Sequence, residues 1–102
     1  MDDLPTFDGR QLTAARALAE MTVADLAEKA NVTPRTVHRI EIGGTVSVSP
    51  GRRHGHVSAD VWDRIVAAVR EAGVELLSED STHGSGVRWA RSRSVRPKLP
   101  QE

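Results

Sequence analysis

The chain has 102 residues, with 14 Lys+Arg against 14 Asp+Glu, no cysteine, and Phe7, Trp62 and Trp89 as its aromatic side chains. That length suits one domain, and 38% hydrophobic residues suffice for a modest aliphatic core without metal or disulfide. The missing cysteines exclude disulfides, thiol nucleophiles and Cys-based zinc sites and fit a cytoplasmic location. No apolar run approaches the roughly 20 residues of a membrane span, and Met1-Asp2-Asp3-Leu4-Pro5 lacks the basic, apolar start of a signal peptide.

Residues 1–8 read as a flexible leader. Asp8 or Thr6 is placed to cap a first helix from about Gly9 to Glu20, with Leu12, Ala15, Leu18 and Ala19 on one stripe. Thr22 opens a second helix, and Asp25 stands where a capping box wants its acid. Val23, Leu26, Ala27 and Ala30 give this helix its apolar face. Asn31 tolerates the left-handed conformation, so Asn31-Val32 suits a tight turn. Thr33 and Pro34 form a cap and first-turn pair for a third helix to Ile42, which Gly43-Gly44 ends. Two short helices across a three-residue turn give a helix-turn-helix outline.

Thr45 to Val57 alternates and then turns at Pro50-Gly51, which fits either a short irregular hairpin or a mobile loop. Ser58 caps a fourth helix to about Ala72, with Val61, Trp62, Ile65, Val66, Ala68 and Val69 along a broad apolar face. Val74–Ser78 and Val87–Ala90 then read as a strand pair around a polar loop. Such a pair is barely stable alone and must pack on the helices or on another copy. Residues 91–102 read as a disordered basic tail.

The zero net charge hides a segregation. Residues 31–56 hold Arg35, Arg39, Arg52 and Arg53 against Glu41, and 83–102 hold Arg88, Arg91, Arg93, Arg96 and Lys98 against Glu102. The remaining acids gather in 1–30 and 57–82. A partner responds to the local field rather than the sum.

Residues 22–44, TVADLAEKANVTPRTVHRIEIGG, resemble the helix-turn-helix of the Cro/repressor-type (XRE) transcriptional regulators. The likeness rests on Leu26-Ala27, Ala30, Val32-Thr33, Val37, Ile40-Glu41 and Gly43. Ala14 to Leu18 and Ala72 to Leu76 agree with it, and it extends over about residues 9–90, most weakly across 45–57. It implies a mainly α, lambda-repressor-like domain of about four helices with a short C-terminal β-hairpin. It also implies a non-enzymatic regulator that binds a double-stranded DNA operator, without a cofactor.

A DNA-reading helix needs one apolar edge against its scaffold and an opposite edge free for the major groove. Val37 and Ile40 suit the first task. Pro34, Arg35, Thr36, His38 and Arg39 are left for the second, with Arg35 and Arg39 the residues suited to guanine. Thr22, Thr33, Arg52 and Arg53 complete the expected DNA-binding residues, with Thr22 and the 52–56 loop as candidates for the backbone and Arg52 and Arg53 placed to grip phosphate or to reach the minor groove. The family often places Gln at the position of Val23, so that backbone contact must come from elsewhere. By resemblance, Glu41 pairs with Arg16 in the first helix, and both are assigned a structural role.

His54 and His56 lack the further ligands of a tetrahedral metal set, and no nucleophile elbow or phosphate loop is present. The expected function is a homodimeric repressor on a palindrome, regulating its own gene by occupancy. An antitoxin-like module with a toxin-like protein partner is the alternative. A metal-responsive regulator using His54 and His56 is a third reading.

Overall fold

The computed structural model describes residues 6–51 and 55–91. The elements run β1 (Thr6–Asp8), α1 (Arg10–Ala19), α2 (Val23–Ala30), α3 (Pro34–Ile42), β2 (Thr45–Ser49), β3 (Val57–Ser58), α4 (Ala59–Glu71), β4 (Val74–Leu77) and β5 (Gly86–Trp89). Each of the last three helices starts on a side-chain cap. The hydroxyls of Thr22, Thr33 and Ser58 accept from the backbone N–H groups of Asp25, Thr36 and Val61, satisfying donors that the first turn leaves unpaired.

The helix α1 begins differently. Gly9 is its N-cap and supplies no side chain. Asp8 Oδ1 accepts from the Arg10 N–H at 2.9 Å, while Gln11 Oε1 accepts from the Asp8 N–H at 3.1 Å. Position 9 has no room for a Cβ, which would overlap the Ile40 carbonyl oxygen. The Gly9 N–H donates to Gly44 O at 2.8 Å. The start of α1 is therefore seated directly on the backbone at the end of α3.

The core is aliphatic. Leu12, Ala15, Leu26, Val37, Ile65, Val69 and Val74 are almost wholly buried, and α4 closes over α2 on one side of them. Trp62 belongs to this core at 4% exposure, with its ring centroid 4.6 Å from that of Phe7.

Two strand features depart from the sequence reading. Thr6–Asp8, the last residues of the expected leader, pair antiparallel with β2, Phe7 opposite Val46. The 45–57 segment, which fitted either a short irregular hairpin or a mobile loop, instead carries two strands that run parallel, Val48 beside Val57. Ordinary parallel strands need a long crossover. Here the ladder is only two residues deep, and Ser58 ends it by becoming the cap of α4. The C-terminal pair is an antiparallel hairpin, Val74 opposite Trp89 and Leu77 opposite Gly86. Residues 1–5 of the leader and 92–102 of the tail lie outside the described residues, as does His54. No described helix is long and apolar enough to cross a membrane.

Candidate nucleic-acid interface

Helix α2 is fixed at both of its ends before the chain turns into α3. Thr22 and Asp25 form a reciprocal capping box, with both bonds 3.0 Å long. The Thr22 backbone N–H, then its hydroxyl, hold the Asp25 carboxyl below the usual aspartate range. At the other end Asn31 takes the left-handed conformation, φ 56° and ψ 48°, and the Val32 N–H returns to Ala27 O at 2.9 Å. Arg64 of α4 donates to the Asn31 carbonyl at 2.8 Å and pairs with Asp60 one turn earlier at 3.0 Å. The turn is thus tied to the helix that packs across it, and Thr33 caps the next helix at once.

Helix α3 has two unlike edges. Val37 and Ile40 face inward at 0% and 4% exposure, burial worth roughly 1.5–3 kcal/mol per side chain. Pro34, Arg35, His38 and Arg39 are exposed, and Thr36 is half-buried. Arg35, His38 and Arg39 make no ion pair among the described residues. Three cation-capable side chains therefore project from one helix edge with their donors uncommitted. The Thr36 hydroxyl lies 2.9 Å from the Thr33 hydroxyl, so these two act as one capping unit. Thr22 and Thr33 are exposed, but their oxygens already accept helix N–H groups, and the Thr33 hydroxyl is further engaged with that of Thr36. Arg52 and Arg53 lie outside the described residues.

The inner end of α3 is pinned by Glu41. Arg16 of α1 reaches it with Nε to Oε2 at 2.7 Å and Nη2 to Oε1 at 2.8 Å, while the Thr13 hydroxyl donates to Oε1 at 3.0 Å. Arg16 uses its remaining Nη1 on the Met21 carbonyl at 3.1 Å. Burial alone would raise the Glu41 carboxyl. The hydrogen bonds from Arg16 and Thr13, with the charges of Arg16 and His38, outweigh it and leave the carboxyl below its ordinary value. The same pairing raises Arg16, against a smaller opposing effect of burial. A forked guanidinium on a carboxylate fixes direction as well as distance, so α3 is held in angle against α1.

Three residues that position this unit carry no role in the sequence reading. Gly9 seats α1 on the α3 terminus. Arg64 ties down the turn. Gln11 is only 5% exposed, and its Nε2 donates to Leu77 O at 2.8 Å and Gly86 O at 3.0 Å, clipping the loop end of the β4–β5 hairpin to α1. Of the three, only Gly9 left a local signal, a glycine where a capping side chain is the favoured choice. Gln11 and Arg64 act on backbone that is distant in sequence. No group of three or more His, Asp or Glu that could hold a metal occurs among the described residues.

A family model described as a helix-turn-helix domain matches residues 9–77, a span from the seating glycine to the end of β4. No curated protein matches the chain.

Proposed function

The chain belongs to the helix-turn-helix domain family, and we propose that it is a sequence-specific regulator of transcription that binds double-stranded DNA through α3. The observation that carries this reading is the division of α3 into a buried edge, Val37 and Ile40, and an exposed edge with Arg35, His38 and Arg39 unpaired among the described residues. In the major groove Arg35 and Arg39 would read guanine O6 and N7 in bidentate fashion. The Arg35 N–H, beside Pro34 in the first turn of α3 and not used by the Thr33 cap, would meet a phosphate. Thr22, Thr33 and the Arg52-Arg53 segment are assigned to the backbone.

The closer assignment, to the Cro/repressor-type regulators, is supported by Glu41: its pairing with Arg16 is the one that the resemblance implies. A nine-residue helix reads only a few base pairs. We therefore assign a homodimer on a palindromic operator, two-fold symmetry supplying the remaining specificity. Its output is repression by occupancy, with no chemistry performed on the DNA.

The test is a titration of labelled duplex at two ionic strengths. A steep fall in affinity between about 50 and 200 mM salt is expected if phosphates are contacted. Salt-independent binding, or none at either ionic strength, would contradict it.

A further inference from the structure

A cleft of about 250 Å³ lies between the exposed edge of α3 and the segment that leads into β3. Ile40, Val46 and Val61 contribute aliphatic carbon to its lining, and Arg39 and His56 supply its nitrogen donors, with the Thr36 hydroxyl nearby. No carboxylate lines it among the described residues. The field inside is therefore one-sided: a guanidinium without an ion-pair partner among the described residues stands against apolar surface. His56 adds a second feature. Its Nδ1 is buried with no hydrogen-bond partner among the described residues, so the ring is not locked by a bond of its own. A buried ring nitrogen left unpaired is costly, and a turn of the ring toward the cleft would offer it a partner.

We propose that this cleft binds a small organic anion, a carboxylate on a short apolar body, with the charged group on Arg39 and His56 and the hydrocarbon against Ile40, Val46 and Val61. The apolar lining selects against a bare inorganic anion, which would leave that surface unused. Because Arg39 also stands on the DNA-reading edge, an anion held there withdraws it from the duplex. The ligand is then an antagonist of DNA binding, sensed without a separate effector domain. Only this antagonism rests on the DNA reading; the binding of the anion does not.

The experiment is an amide-resolved NMR titration of the full chain with hexanoate, and with 1-hexanol as its uncharged counterpart. Hexanoate should give saturable shifts confined to the residues around the cleft, 36–46 and 55–61. Arg39→Glu, at an exposed position, should weaken hexanoate about tenfold and leave hexanol little changed. Val61→Phe, which fills the cleft, should weaken both. Scattered or non-saturating shifts, or hexanoate binding unchanged in Arg39→Glu, overturn the site whatever the chain does with DNA. If hexanoate binds at the cleft and an independently selected duplex leaves its affinity unchanged, the antagonism is overturned while the site stands.

Discussion

Glu41 at the inner end of α3 receives both a side-on and an end-on nitrogen of Arg16, 2.7 and 2.8 Å away, and the two side chains are only 7% and 19% exposed. That pair, with the seating of Gly9 on the end of α3, fixes how α3 lies on α1. It is also far enough inside for solvent to screen it poorly, unlike Arg10–Asp8 or Lys29–Glu71, whose exposed partners contribute little.

Removing the carboxylate strands the guanidinium. Glu41→Ala should lower stability by about 3 kcal/mol, read as a drop in Tm of more than about 10 °C. Well below the new midpoint, affinity for duplex should fall far less than in the arginine variants of α3. An unchanged Tm would show that the pair does not hold the helix.

The same pair predicts an acid limb. Glu41 is held below its ordinary value, so its contribution is fully present above the unfolded glutamate pKa. It is lost as pH falls through the lower folded value. Asp25 acts in the same sense. Urea midpoints should decline below about pH 4.3, and Glu41→Gln should be less stable at neutral pH with a flatter decline. An equally steep decline in that variant would assign the acid sensitivity elsewhere.

Gly9 is required by space, not by φ. Its Cβ would meet the Ile40 carbonyl, which is backbone and cannot swing aside. Gly9→Ala should destabilise by about 1–3 kcal/mol through overpacking. At Gly84 nothing lies within 4 Å of a Cβ, and Gly84→Ala should be near neutral. Denaturant unfolding of the two alanine variants checks the contrast.

Gln11 should govern the hairpin locally. Gln11→Leu leaves the Leu77 and Gly86 carbonyls without their side-chain donor, a loss of about 1–3 kcal/mol. Hydrogen exchange should quicken in β4 and β5 before it does so in α2. Uniform quickening across the chain would instead mark Gln11 as a core residue like any other.

The helices were legible because their signals are local. Thr22 with Asp25, Asn31, Thr33 with Pro34, and Ser58 each mark a boundary within four residues of itself, and the structure uses every one. What escaped was written across distance. Thr6–Asp8 is too short to announce a strand, and its partner lies beyond three helices. The parallel Val48–Val57 pairing violates the usual length of a crossover. Gln11 and Arg64 look like ordinary polar residues until Leu77, Gly86 and Asn31 are brought beside them. On α3, the inward and outward edges followed from helical spacing together with the family resemblance; Arg35, His38 and Arg39 are exposed, whereas Thr36, expected to face outward with them, is half-buried against Thr33. Arg52 and Arg53 fall outside the described residues, and their backbone role stays a proposal.

If the exposed edge of α3 reads bases, selection of duplexes from a random pool, run in parallel on the wild type, Arg35→Ala and Arg39→Ala, will show it. The wild type should enrich a two-fold-related motif. Each variant should lose about 1–3 kcal/mol of discrimination at the base pair it no longer reads. No enrichment by the wild type, or the same motif recovered equally by both variants, would contradict it.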